Sequence, residues 1–123
     1  MSSSAFEEWL RDNTIDEVEC LVPDMSGTAR GKILPAAKLI KGSRSRGLRI
    51  PEDVFILTVT GQYSWKTDAT DDASIDIYMK PDWDTLRRVP WYDNPTAEVI
   101  CDCFYLDDRP VDIAPRYVLK RVM

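Results

Sequence analysis

The stretch from Glu17 to Pro35 constrains this chain more than any other. Glu17-Val18-Glu19-Cys20 alternates polar and apolar side chains, the two-residue period of a strand with one buried face. Asp24-Met25-Ser26-Gly27 is turn chemistry: an aspartate bonds its own downstream backbone, and a glycine supplies positive φ. Pro23 has no N–H to give a ladder, which suits a strand end or edge. Arg30 to Leu34 then returns, with Lys32 on one face and Ile33 on the other. These runs predict a hairpin, and the remaining segments read as packing around it or extending its sheet.

Ahead of the hairpin, Ser4 begins a short amphipathic helix. Ser3 or Ser4 caps it, Glu7 closes a capping box, and Asn13 stops it. Phe6, Trp9 and Leu10 share its inner face. After the hairpin, Pro35 to Ile40 predicts one or two helical turns. Gly42-Ser43-Arg44-Ser45-Arg46-Gly47 reads as a mobile loop. Val54 to Thr60 is β-branched and apolar, the pattern of a strand covered on both sides, and Gly61 ends it.

Gln62 to Asp72 is a long polar loop whose Tyr63 and Trp65 need burial, for which a partner surface is one answer. Ser74 to Lys80 predicts a strand with Ile75, Ile77 and Met79 on one face and Asp76, Tyr78 and Lys80 on the other. Trp83 to Trp91 is irregular, with Leu86, Val89 and Trp91 expected to pack inward. Ala97 to Leu106 is the longest strand expected, and Asp107-Asp108-Arg109-Pro110 is a turn. Ala114 to Met123 predicts a helix with Pro115 in its first turn. It carries an apolar edge and lacks a Gly or Asn cap, so the expectation is a piece of a longer protein.

Composition narrows the function. At 123 residues the chain is one domain. A net charge of -5 argues against a nucleic-acid partner, which needs a clustered cationic face. The local basic run Lys38, Lys41, Arg44, Arg46, Arg49 reads as a solvated loop or an anion site. No apolar run approaches the length of a membrane span, and Met1-Ser2-Ser3-Ser4 has no secretory pattern. Cys20, Cys101 and Cys103 are expected to be buried thiols in a reducing cytoplasm. Thiolates without a histidine make a poor zinc site, so no metal ligand is expected.

The absence of histidine also removes any Ser-His-Asp or Cys-His arrangement. No glycine-rich phosphate loop is present. Asp68, Asp71, Asp72 and Asp76 cluster. They are a cation site, an ammonium or amine site working through charge-assisted hydrogen bonds, or a solvated acidic loop. The residues by themselves describe a small α+β domain with one acidic, aromatic loop, and no reaction.

Four stretches, in order, resemble the N-terminal β-grasp domain of the glutamine synthetase family. They are Val22 to Lys32, Ser74 to Asp82 with its Asp-x-x-x-x-Pro-Asp ending, Val89-Pro90-Trp91 followed by Pro95 to Asp102, and Asp112 to Arg116. The Arg-Val-Pro-Trp and Pro-Thr-Ala wording is nearest the branch that includes γ-glutamylpolyamine synthetases. The resemblance implies an α+β, β-grasp-like mixed sheet with one or two packed helices over residues 1–112. Residues 113–123 would begin the linker or first helix of a catalytic domain that lies outside this sequence.

It also implies an ATP-dependent ligase of nitrogen metabolism, joining ammonia or an amine to the γ-carboxylate of glutamate. ATP and Mg2+ (or Mn2+) would bind outside this stretch, leaving it inactive alone. Its partners would be its own catalytic domain and a neighbouring subunit in a ring homo-oligomer, whose active site it caps. In that reading Asp76 is catalytic, and Trp65 and Asp72 bind substrate on the amine side. Thr60 precedes Gly61 where the family carries an aspartate, which favours an amine larger than ammonia. Two alternatives remain. One is an interaction module that assembles through Tyr63, Trp65 and an open sheet edge. The other is a family member that has lost catalysis and binds a small ligand.

Overall fold

The computed structural model describes residues 2–56 and 75–123. In chain order its elements are α1 (Ser3–Asp12), β1 (Glu17–Pro23), β2 (Ala29–Pro35), α2 (Ala36–Ser43), β3 (Arg49–Pro51), β4 (Asp76–Pro81), β5 (Arg87–Val89), β6 (Thr96–Phe104) and α3 (Pro115–Val122). Short 3-10 helices cover Glu52–Ile56 and Trp83–Thr85. The strands form one mixed sheet in the order β2-β1-β6-β4-β3. β6 is parallel to β1, from Glu17 beside Thr96 to Leu21 beside Ile100. Its other side is antiparallel, first to β5 over Thr96–Glu98 and then to β4 over Cys101–Phe104. This is the α+β architecture that the resemblance implies.

The opening hairpin forms in the expected register, Glu17 opposite Pro35 through Pro23 opposite Ala29. Its turn is built on Asp24, which is buried. One carboxylate oxygen accepts the backbone N–H groups of Ser26 and Thr28, both at 2.9 Å. The other accepts Arg30 Nε at 2.9 Å. Gly27 takes φ +78° to close the turn, a conformation that costs glycine little. Gly31 answers a tighter demand. At its φ of +152° a Cβ would sit 1.7 Å from the carbonyl oxygen of Cys20.

One face of the sheet is apolar. Val18, Cys20 and Val22 of β1, Ile77 and Met79 of β4, and Ala97, Val99, Cys101 and Cys103 of β6 are all buried. They form one core with Phe6 and Leu10 of α1, Leu39 of α2, and Val54 and Phe55. The strict alternation along β1 and β4 turns Glu17, Glu19 and Leu21 of β1, and Asp76, Tyr78 and Lys80 of β4, to the opposite face.

Several sequence expectations are corrected. Helix α1 begins at Ser3, and Ser2 Oγ is the cap, accepting the Ala5 N–H at 3.2 Å. Glu7 closes no capping box and pairs with Arg44 instead. Helix α2 runs on through Gly42 and Ser43, so the first third of the expected loop is helical. Gly42 lies against Leu48, where a Cβ would meet that side chain at 2.6 Å, and this contact shapes the turn.

Val54 to Ile56 are a 3-10 turn, not a strand. Pro51 closes β3, and the next residues bury Val54 and Phe55 in succession, which a two-residue period does not do. Residues 57–60 of that expected strand, and the loop 62–72, lie outside the described residues. Ile75 is exposed because β4 starts after it. Trp91 does not pack inward: it is 63% exposed on the bend between β5 and β6. The tryptophan that packs against the core there is Trp83.

Candidate functional site

Asp76 is the first residue of β4 and pairs with Pro51 of β3. The strand is held there by the Glu52 N–H, which donates to the Ile75 carbonyl at 3.0 Å. Because Ile77 and Met79 face the core, Asp76 points with Tyr78 and Lys80 to the opposite, polar face. It is exposed, and its carboxylate has no hydrogen-bond or ion-pair partner among the described residues. Trp65 and Asp72 lie outside the described residues, as do Thr60, Asp68 and Asp71.

The same face carries a second carboxylate whose bonds are taken. Asp108 Oδ1 accepts the Tyr78 hydroxyl at 2.5 Å and Arg46 Nε at 3.0 Å. The guanidinium also reaches the other carboxylate oxygen. The Tyr78 hydroxyl and then Arg46 hold the Asp108 carboxyl below the usual range. Burial, followed by Asp108, raises the Tyr78 phenol. Tyr78 also stacks on Phe104, with centroids 5.6 Å apart, and Lys80 lies 5.9 Å over that Phe104 ring. Arg46, Tyr78 and Asp108 are far apart in sequence. No local pattern announces the cluster, although the cross-strand pairing of Tyr78 with Phe104 follows once the register is known.

Farther along the polar face, Arg116 of α3 donates to Asp82 Oδ2 at 2.7 Å and to Asp102 Oδ1 at 3.1 Å. Lys120 completes the group on Asp102 Oδ2 at 2.7 Å. These pairs fasten α3 across the ends of β4 and β6 and are structural in role. The three cysteines are buried free thiols. Burial, with the Asp102 charge, pushes the Cys103 thiol up to about 12.

Chemically, this face offers an exposed carboxylate, Asp76, without a partner among the described residues, beside a self-neutralised Arg-Asp-Tyr cluster. An open carboxylate attracts a cationic amine and is able to accept a proton from it. Among the described residues no group of three or more His, Cys, Asp or Glu side chains is placed to hold a metal ion. No helix among them is long and apolar enough to cross a membrane.

No family model matches the sequence. The glutamate–isopropylamine ligase of a Pseudomonas species is 28% identical over 118 residues, covering 94% of this chain and 26% of that protein. The glutamine synthetase of Rhizobium leguminosarum bv. phaseoli is 33% identical over 113 residues, covering 92% of this chain and 23% of that protein. A solved structure described as a GmaS/ADP complex matches with a TM-score of 0.71 at 23% identity. That match covers 94% of this chain and 24% of that one, and it shows a shared fold. The chain thus spans about a quarter of the length of the relatives it matches.

Proposed function

This chain belongs to the glutamine synthetase family, and on that premise we propose that it is the capping domain of an ATP-dependent ligase. The ligase joins an amine, or ammonia, to the γ-carboxylate of glutamate. The observation that carries this reading is Asp76: exposed, turned away from the core, and unpartnered among the described residues. Such a carboxylate draws in a cationic amine and accepts a proton from it, which frees the nitrogen lone pair to attack the activated γ-carbonyl. Trp65 and Asp72 form the rest of the amine side. Thr60, where the family carries an aspartate, favours a substituted amine over ammonia, and the name of the Pseudomonas relative includes one.

ATP with Mg2+ or Mn2+ supplies phosphoryl activation of the glutamate carboxylate. No residue of this chain is assigned to hold either. The capping domain ends at about residue 112 and α3 leads toward the catalytic domain. In support of this, α3 contributes no fully buried residue and is attached through the Arg116 and Lys120 ion pairs. The cap sits over the active site of a neighbouring subunit in a ring, in the cytoplasm, where the buried thiols stay reduced.

The test is Asp76→Asn in the full-length enzyme, assayed with glutamate, ATP and a panel of amines. The expected result is a loss of about tenfold or more in kcat/KM for the amine, with the KM for glutamate kept. Unchanged amine KM and turnover would remove Asp76 from the site.

A further inference from the structure

A half-open groove of about 450 Å3 runs along α2 between β2 and the turn into β3. Its lining includes Lys32, Lys38, Lys41 and Arg49, with Leu34 and Leu48 as its apolar floor. We propose that this groove binds a small polyanion carrying several phosphate or carboxylate groups.

The argument begins with charge. The chain as a whole is acidic, at -5. Most cations near this groove's rim are neutralised: Arg44 pairs with Glu7 and Arg46 with Asp108. Lys32, Lys38 and Lys41 inside the groove have no carboxylate partner among the described residues. Lys38 and Lys41 sit three apart on one face of α2, the spacing at which like charges repel. Arg49 Nε donates to the Arg46 carbonyl at 3.0 Å, which orients the guanidinium.

Four cations held together without an acidic partner among the described residues are self-repelling, and a multiply charged anion relieves that repulsion. The floor adds to the effect. Leu48 is buried and Leu34 half-buried, so one wall of the groove has low polarisability, and fields from the lysines are screened less than on a convex surface. A ligand with a planar or apolar body places it on Leu34 while its charged groups reach the lysines.

The experiment is calorimetric titration of the 123-residue chain at low ionic strength with pyrophosphate, ADP and citrate. Saturable one-to-one binding of at least one of them is expected. Pyrophosphate and ADP without citrate identifies phosphate as the recognised group, and citrate alone identifies carboxylate. Lys38→Ala with Lys41→Ala should weaken binding about tenfold, given the modest strength of partly exposed charge pairs. Lys38→Arg with Lys41→Arg should preserve it. Lys80→Ala with Lys120→Ala, on the polar sheet face, should leave it unchanged. Absence of saturation with all three anions overturns the proposal. So does an equal loss in both alanine pairs, which would mark binding as diffuse attraction, and so does indifference to the Lys38/Lys41 pair.

Discussion

The ring of Phe6 lies flat on the indole of Trp83, with centroids 3.7 Å apart and planes 4° from parallel. One ring belongs to α1 and the other to the 3-10 turn that follows β4. The stack therefore fastens the N-terminal helix to the turn that packs beside β6. Phe6→Ala should lower the unfolding free energy by about 3–5 kcal/mol, the usual cost of emptying a buried phenylalanine site. Urea unfolding followed by tryptophan fluorescence measures it. A shift under 1 kcal/mol would mean that α1 contributes little to the core.

Gly31 is the tightest point of the opening hairpin. Gly31→Ala puts a methyl group against the Cys20 carbonyl, in a backbone conformation that alanine disfavours. The expected cost is about 2–4 kcal/mol, from overpacking plus strain. Gly27→Ala, at positive φ but with open space around it, should cost about 1 kcal/mol. Thermal unfolding of the two variants side by side checks the ranking, and equal losses would contradict it.

Asp24 gives the fold an acid-sensitive turn. Burial pushes its pKa up, but the Arg30 guanidinium and the Thr28 and Ser26 amides together outweigh burial and hold it below the ordinary carboxylate value. A carboxyl depressed in the folded state contributes stability that is fully present above its unfolded pKa of about 4 and is lost as pH falls through its folded value. Asp24→Asn should therefore lose about 1–3 kcal/mol at pH 7. It should also show a flatter decline in stability than the parent below about pH 4. Parallel curves over that acid range would show that Asp24 carries no linked proton.

Arg116 ties α3 to Asp82 and Asp102, all three partly exposed. Arg116→Ala should cost about 1 kcal/mol or less globally, because Lys120 still holds Asp102. Its larger effect should be local: faster amide exchange along Pro115–Val122 with β6 protection unchanged. Uniform loss of protection across the sheet would make α3 part of the core instead.

The hairpin, β4, β6 and α3 were legible because each has a periodic pattern bounded by turn chemistry: Asp24 to Gly27 for the hairpin, Pro81 and Asp82 at the end of β4, Pro115 at the head of α3. Val54 to Ile56 was not legible. β-branched and aromatic residues in a run mark burial, and burial alone does not choose between a strand and a tight helical turn. Trp91 misled for a related reason, since a large apolar side chain in an irregular stretch has no period to say which way it points. Asp76 was placed on the correct face by the alternation of Ile77 and Met79. The Arg46-Tyr78-Asp108 cluster was out of reach, since contacts across loops leave no mark in local sequence. The groove was visible only as a run of basic residues. Its concavity comes from α2 continuing to Ser43 and from Leu48 folding back over Gly42.

β6 comes late in the chain yet stands between the β1–β2 pair and the β4–β3 pair. Before Thr96 leaves the ribosome, those two pairs share no hydrogen-bonded neighbour in the described sheet. Until then neither pair has its inner neighbour, and a two-stranded pair alone is marginally stable at best. Closure arrives in one late step, when a single strand zips both margins at once. Slow translation just upstream of that strand would prolong the most aggregation-prone moment in this domain's life.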